Sequence, residues 1–84
     1  MYKLILKRSA RKELDNLPDS DFLKIDKALF SLQNNPRPFP QAKKLKGENK
    51  LRLRVGDYRV VYSVEDEGRK IVIYRVRHRK DVYR

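Results

Sequence analysis

In two stretches of the second half of the chain, every other side chain is apolar, and arginines occupy several of the positions between. This alternation constrains the fold more than any other feature of the sequence. The first reads Leu51-Arg52-Leu53-Arg54-Val55, and the second runs over residues 58–64 with Arg59 near its start. Side chains of a β-strand point alternately to opposite faces of the sheet. The pattern therefore predicts two strands that share an apolar face and carry Arg52, Arg54 and Arg59 on the reverse face.

Turn signals and helical spacing predict the remaining elements. Gly56-Asp57 separates the two alternating stretches and is typical of a two-residue hairpin turn. An acidic turn over 65–68 precedes a last strand over 70–77, and residues 2–7 predict a first strand. We predict one helix over 10–17 with Ser9 as its N-cap. A second helix, capped by Asp19 or Ser20, is predicted to end at Asn34-Asn35 before Pro36. Residues 36–50 are expected to form an irregular connector, because prolines at 36, 38 and 40 exclude a helix or a central strand there.

The predicted element order indicates an α+β fold of the form β-α-α-β-β-β, a single domain over residues 1–84. An N-terminal helical hairpin would pack on one face of a twisted antiparallel sheet. The other face would stay open to solvent and carry the arginines. The sequence ends at Arg84, one residue past Tyr83, so we expect no additional helix after that tyrosine.

The net charge of +11 lies mostly in the second half of the chain. Residues 1–42 carry 8 basic and 5 acidic side chains, a net +3, whereas residues 43–84 carry 14 basic and 6 acidic side chains, a net +8. Such a bias is typical of proteins that bind nucleic acid. An anionic membrane is the alternative partner, but it is usually bound by a basic amphipathic helix, and here the charge lies on strands. We therefore expect a nucleic-acid partner and no membrane partner.

Composition also bears on metals and on cellular location. The chain has no cysteine and one histidine, so a thiolate or multi-histidine metal site is excluded, and we expect no metal or other cofactor. No apolar run approaches the ~18 residues that span a bilayer. The apolar stretch near the N-terminus is too short for a signal peptide, so we expect a cytoplasmic protein.

The basic side chains suit chemistry on a phosphodiester. Arginine is always charged, and its planar fork matches two phosphate oxygens, so Arg52 and Arg54 are interpreted as charge stabilisers of a transition state. RNA supplies its own nucleophile, the ribose 2′-hydroxyl, and then needs only a base and an acid for proton transfer. His78 and Tyr83 are candidate bases, and His78 or Arg79 a candidate acid. Tyr83 could instead stack on a base, and the arginines could be ordinary solvated charges.

Two motifs resemble a known family. The segment Gly56-Asp57-Tyr58-Arg59 and the ending His78-Arg79-Lys80-Asp81-Val82-Tyr83 together resemble the RelE/ParE superfamily of toxin–antitoxin modules, in particular the RelE-type mRNA interferases. The resemblance implies a toxin that cleaves mRNA in the ribosomal A site through 2′-hydroxyl attack without a metal. It also implies a cognate acidic, RelB-like antitoxin as partner, besides the ribosome and mRNA.

The resemblance implies a set of site residues. The catalytic candidates are Arg52, Arg54, Arg59, His78, Arg79 and Tyr83. Five further basic residues are expected to bind RNA: Lys43, Lys44, Lys46, Arg75 and Arg77. The family pattern has lysines on the second strand, one of them proposed as the base, so arginines at positions 52 and 54 shift that role towards His78 or Tyr83.

The sequence leaves two other functions open. A ParE-like protein would poison DNA gyrase and would not require this set of residues. A non-catalytic RNA-binding module would need the arginines but neither His78 nor Tyr83.

Overall fold

A computed structural model of the chain describes residues 1–82. Along the chain, the elements are β1 (Lys3–Leu6), α1 (Arg8–Asp15), α2 (Asp19–Asn34), β2 (Ala42–Lys44), β3 (Leu51–Val55), β4 (Tyr58–Glu65), β5 (Lys70–His78) and α3 (Arg79–Val82). The predicted α+β class, with helices packed on one face of a sheet, is confirmed.

The sheet has five strands in the order β1-β5-β4-β3-β2. Strands β2 to β5 pair antiparallel, but β1 pairs parallel with β5. The expectation of a purely antiparallel sheet is therefore wrong. The chain passes through both helices and three further strands between β1 and β5, and this long connection allows the two strands to run in the same direction.

Two elements depart from the predicted order. Strand β2 forms within the predicted irregular connector, because its residues lie beyond the last proline and their backbone groups can pair with β3. The four-residue helix α3 follows β5 directly, where the predicted order has no helix.

The helix ends differ from prediction mainly in their caps. Helix α1 begins at Arg8 and Lys7 occupies the N-cap position, so the prediction of Ser9 as the cap is wrong. The Ser9 hydroxyl donates instead to the Tyr74 carbonyl at 3.2 Å. The N-cap position of α2 is occupied by Pro18, so the prediction of Asp19 or Ser20 as the cap is also wrong. Two aspartates in the first turn of α2 complement the positive end of its dipole. Within residues 1–82, no helix is long and apolar enough to cross a membrane.

The core lies between the two long helices and one face of the sheet, which we call the helix-covered face. The buried residues alternate along the strands and recur on one side of each helix: Ala10, Leu14, Ile25, Leu29, Leu32, Leu53, Val60, Tyr62, Ile71, Ile73 and Val76. Every buried strand residue lies on this face. The opposite face, which we call the open face, carries half-buried and exposed side chains only.

A β-bulge in β5 changes the phase of its alternation. Val61 pairs with Arg75, but the next residue of β4, Tyr62, pairs with Ile73, so Tyr74 is an extra residue. Ile71 and Ile73 face the core before the bulge, and Val76 faces it afterwards. The bulge therefore directs Arg75 and Arg77 away from the core face.

Candidate functional site

Strand register gathers the cations of the open face into two adjacent rows. In one row Arg54 of β3 pairs with Arg59 of β4, and Arg59 pairs with Arg77 of β5. In the next row Lys43 of β2 pairs with Arg52 of β3. Neighbouring strands lie about 4.8 Å apart, so these positive side chains are held close together by the backbone.

Four of these cations line a shallow depression at the β2–β4 end of the open face, which we call the cationic concavity. It has a volume of about 140 Å³ and is lined by Pro40, Gln41, Lys43, Arg52, Arg54 and Arg59. No acidic residue is among the lining side chains. The size and charge of the depression suit an anionic group such as a phosphate.

The guanidinium of Arg59 is anchored at the hairpin turn. Its Nη1 donates to the carbonyl oxygens of Gly56 and Tyr58, both at 2.9 Å. Gly56 has a positive φ of 57°, which suits the first central position of this turn. Within residues 1–82, neither Arg59 nor Arg54 forms an ion pair with an acidic side chain. Both keep charge available for a ligand.

Arg75 and Arg77 are instead held by one carboxylate. Glu13 of α1 accepts from the Arg75 Nη2 at 2.9 Å and lies 3.4 Å from the Arg77 Nε. Its other oxygen accepts from the backbone N–H of Val76 at 2.8 Å. Partial burial acts to raise the pKa of Glu13, but these hydrogen bonds and the two arginine charges outweigh it and hold the pKa below the ordinary value. Two guanidinium groups share one negative charge, so the pair retains a net positive charge.

His78 lies on the helix-covered face, away from the cationic concavity. It pairs with Tyr58 across β4 and β5, and the two rings meet edge to face with centroids 5.4 Å apart. Its Nδ1 accepts from the backbone N–H of Lys80 at 3.2 Å, within the first turn of α3. Among residues 1–82, His78 thus has a packing partner and a capping role that require no catalytic function.

Arg79 begins α3 and is tied to the β3–β4 turn. Its backbone N–H donates to the Asp57 carbonyl at 2.7 Å, and its Nε lies 3.8 Å from an Asp57 carboxylate oxygen. Its side chain is exposed. The predicted catalytic residue Tyr83 lies outside the described residues.

The remaining lysines predicted to bind RNA divide between locations. Lys43 lies on the open face, whereas Lys44 pairs with Leu51 and so alternates to the other face. Lys46 is exposed in the loop between β2 and β3. Of these three lysines, only Lys43 lines the cationic concavity.

Lys50 belongs to the open face but was missed by sequence reasoning. Its ammonium lies 4.4 Å from the centre of the Tyr74 ring and 4.0 Å from a Glu48 carboxylate oxygen. It precedes Arg52 by two residues, so extending the alternation of β3 by one step would have found it.

The described part of the chain offers little to bind a metal ion. In residues 1–82 no group of three or more histidine, aspartate or glutamate side chains is arranged to hold one. Several fixed cations on this face are arranged to recognise an anion, and the Lys50 ammonium lies on the same face.

The family of the chain follows from comparison with known proteins. A family model described as the ParE toxin of the type II toxin–antitoxin system parDE matches residues 4–83. The chain belongs to the RelE/ParE superfamily. Toxin RelG of Mycobacterium tuberculosis is 32% identical over 85 residues, which cover 99% of this chain and 97% of RelG. The RelE1 protein of Methanocaldococcus jannaschii is 34% identical over 76 residues, covering 87% of this chain and 84% of that protein.

Solved structures of RelE proteins share the fold. The archaeal RelE–RelB complex from Pyrococcus horikoshii contains a chain that superposes with a TM-score of 0.83 at 29% identity, covering 93% of this chain and 94% of that chain. The isolated E. coli RelE toxin superposes with a TM-score of 0.81 at 27% identity, covering 99% of this chain and 92% of that chain. The protein is therefore a RelE-type toxin of a type II toxin–antitoxin system.

Proposed function

We propose that this RelE-type toxin is a cytoplasmic, ribosome-dependent endonuclease that cleaves mRNA without a metal ion. The observation that carries the proposal is the cationic concavity, where Lys43, Arg52, Arg54 and Arg59 line one depression. Several fixed cations around one site are suited to the extra negative charge that develops on a phosphodiester during in-line attack.

In the proposed reaction, the ribose 2′-oxygen attacks the adjacent phosphorus and the bond to the 5′-oxygen breaks. A base accepts the 2′-hydroxyl proton, and an acid protonates the leaving 5′-oxygen. The products are a 2′,3′-cyclic phosphate and a 5′-hydroxyl. Arg54 and Arg59 stabilise the phosphorane charge, because both lie in one cross-strand row and neither is ion-paired within residues 1–82.

Four residues are candidates for proton transfer, and among them Arg79 stays a predicted acid. Lys50 is favoured by its position on the same face as Arg52, two residues away along the strand direction. Tyr83 and His78 stay predictions; for His78, the ring would have to act from the helix-covered side. Separate Lys50→Ala, His78→Asn and Tyr83→Phe variants distinguish them, since only loss of the base should remove the ascending limb of the pH–rate profile.

The proposal is tested with ribosomes programmed with a defined mRNA. We expect toxin stripped of metal with EDTA beforehand to cleave with no divalent ion beyond the magnesium that keeps the ribosome assembled, and cleavage to stop when the scissile nucleotide carries 2′-deoxyribose. An Arg11→Ala variant, altered on the exposed side of α1, is the control for the three variants above and should cleave normally. Cleavage that requires a divalent ion added beyond what the ribosome needs, or that proceeds on the deoxyribose substrate, would contradict the mechanism.

A gyrase poison is the second candidate, favoured by the matching family model, which is described as a ParE toxin. Expression of the toxin in cells distinguishes the two activities. Rapid arrest of translation with cut mRNA supports the endonuclease, whereas DNA breaks with altered supercoiling support gyrase poisoning. A passive RNA-binding module would cause neither effect.

We also propose an acidic, RelB-like antitoxin as partner. Solved relatives include RelE–RelB complexes from Pyrococcus horikoshii and E. coli, and the net charge of +11 favours an acidic binding segment. Co-expression with the reading frame beside this gene should yield a complex that restores growth. Failure of any neighbouring acidic protein to bind would count against this partner.

A further inference from the structure

Phe39 is an aromatic side chain that the fold leaves almost entirely in solvent. It is 92% exposed, more than any other large hydrophobic residue in the described part of the chain. It stands in the sequence Pro36-Arg37-Pro38-Phe39-Pro40, between two prolines. An exposed phenylalanine contributes nothing to the core, so its position calls for another explanation.

The backbone on both sides of Phe39 is anchored, so its exposure is not that of a loose loop. The buried Tyr62 donates its hydroxyl proton to the Pro36 carbonyl at 2.7 Å. Arg37 forms a two-pronged contact with Asp66, with nitrogen–oxygen distances of 2.9 and 3.2 Å. The Pro38 carbonyl accepts from the Ala42 N–H at 2.8 Å. These contacts and the fixed φ of proline hold the segment in one conformation.

The segment places the backbone of Phe39 beside the rim of the cationic concavity. The next two residues, Pro40 and Gln41, line that depression together with the cations. The Gln41 carbonyl also accepts from the backbone N–H of Arg54 at 3.0 Å. Phe39 is bonded directly to Pro40, so its backbone lies beside the residues that line the depression.

We propose that Phe39 is a stacking platform for an unpaired nucleobase next to the phosphate that the cationic concavity binds. A pre-positioned ring beside fixed cations is the arrangement by which proteins hold single-stranded RNA, with stacking on the base and charge on the backbone. The inference rests on the proposed function, because it takes the ligand to be RNA. It adds a contact to a base, which the arginines alone do not supply.

An apolar protein segment is the competing occupant, because Pro38 and Gln41 also line an apolar groove with Leu32 and Leu53. Two other exposed large hydrophobics, Leu23 and Phe30, lie on α2, which packs on the helix-covered face. Phe39 is instead bonded to Pro40, which lines the cationic concavity together with Lys43 and Arg54. A highly cationic rim favours a polyanion over an apolar protein surface.

A fluorescence experiment tests stacking directly. The chain contains no tryptophan, so Phe39→Trp introduces a single reporter at the platform and Phe30→Trp a matched reporter on α2. A short single-stranded oligoribonucleotide is titrated into each variant. We expect strong quenching of the indole at position 39 and none at position 30. Equal quenching at both positions, or none at position 39 when RNA is bound, would overturn the inference.

Affinity measurements separate this inference from the proposed function. We expect Phe39→Ala and Phe39→Leu to weaken binding of the oligoribonucleotide roughly tenfold, while Phe39→Trp retains it and Phe30→Ala has no effect. The salt dependence should be unchanged in Phe39→Ala but reduced in Arg54→Ala.

Each other outcome has a definite meaning. If Arg54→Ala weakens RNA binding and Phe39→Ala does not, the platform is wrong while RNA as ligand stands. If the unmodified toxin binds neither free nor ribosome-bound RNA, the proposed function fails and the platform with it. If Phe39→Ala binds RNA normally but loses affinity for the antitoxin, the ring is a protein contact and the inference is overturned.

Discussion

Arg59 illustrates how a single side chain can be prepared for phosphate binding. Two backbone carbonyls of the β3–β4 hairpin accept from its Nη1, which fixes the guanidinium while leaving its other donors free of acidic partners within residues 1–82. Because the anchoring groups are neutral, they orient the charge without cancelling it. A carboxylate partner, by contrast, would offset the charge that a phosphate needs.

We predict that Arg59→Ala lowers the rate of mRNA cleavage by on the order of a hundredfold, as when one preorganised donor to a developing charge is removed. The measurement is single-turnover cleavage on programmed ribosomes. Arg59→Lys should recover only part of the rate, because an ammonium lacks the planar fork. Circular dichroism should show the same fold in all three proteins, and an unchanged rate in Arg59→Ala would remove this residue from the site.

Glu13 shows the opposite arrangement, in which a carboxylate binds the cations directly. It joins α1 to β5 through Arg75, Arg77 and the Val76 N–H, beyond the point where β1 ceases to cover that edge. Its pKa in the folded protein is held below the ordinary 4.5. A depressed pKa means that the carboxylate stabilises the folded state above the ordinary pKa, and that this contribution is lost as the pH falls through the folded-state value.

We predict that Glu13→Gln lowers the free energy of unfolding by about 1–2 kcal/mol at neutral pH, since hydrogen bonds to a charged group are lost. The difference from the unmodified protein should shrink once the pH falls below 4.5. Urea unfolding at a series of pH values measures it. The pKa of Asp66 is also lowered, chiefly by the Arg37 hydrogen bond and then by Tyr2, but this contribution is common to both proteins and cancels. A difference independent of pH would show that Glu13 acts through packing alone.

At the scale of elements, the bulge in β5 decides which face the last arginines occupy. A regular strand would carry Arg75 and Arg77 on the same face as Ile71 and Ile73. Tyr74 is the extra residue that prevents this. It contacts the open face, where its hydroxyl lies 3.1 Å from the Ser63 hydroxyl, so the bulge adds an aromatic contact as well as a change of phase.

We predict that deletion of Tyr74 is tolerated, because the remaining residues form a regular ladder in which Val76 still faces the core. The expected cost is ~1 kcal/mol of unfolding free energy for the lost cross-strand contacts. Deletion of Val61 from β4 is the matched control. It moves either Val60 or Tyr62, both fully buried, out of the core, and should cost at least ~3 kcal/mol. Thermal unfolding of both variants provides the test, and equal destabilisation would contradict the described register.

At the scale of the whole molecule, the two faces of the sheet divide stability from binding. One face and the helices supply the apolar core. The other face carries the cationic concavity and two cross-strand rows of basic residues. Their mutual repulsion is a cost to folding that a polyanionic ligand would offset.

We predict that RNA binding weakens steeply with salt. Three to four phosphate contacts give a slope of log affinity against log salt of roughly −2 to −3 for a single strand, and Arg54→Ala should reduce it by about 0.7. Lys12→Ala, on the exposed surface of α1, removes the same charge elsewhere and should leave the slope unchanged. Filter binding or fluorescence anisotropy over a salt series provides the measurement. An equal effect of both variants would indicate a response to net charge rather than to the concavity.

Much of the fold was predictable because it depends on local periodicity. The alternation around Arg52 and Arg54, the Gly56-Asp57 turn and the end of α2 before Pro36 are all properties of short segments. The helix caps and the short strand β2 were less predictable, because they depend on hydrogen bonds to backbone groups elsewhere in the chain. The Ser9 hydroxyl, for example, donates to a carbonyl on β5 instead of capping α1.

The candidate site was predictable only in part, for the same reason. Arg52, Arg54 and Arg59 follow from strand alternation, and Lys50 would have followed from extending it. His78 is predicted from sequence as a catalytic residue because imidazole can exchange a proton near neutral pH, yet pairing with Tyr58 puts it on the opposite face from the arginines. The catalytic roles of all these residues, and of Tyr83 outside the described residues, stay predictions.

A sheet with one apolar and one basic face follows from the amino-acid sequence alone, because the two-residue period acts within each strand. Which cations become neighbours depends instead on how the strands and helices pack together. Strand register aligned Arg54 with Arg59, a single extra residue turned Arg75 and Arg77, and Glu13 from a distant helix neutralised part of their charge. Those relations depend on contacts between residues far apart in the chain, and no local period encodes them.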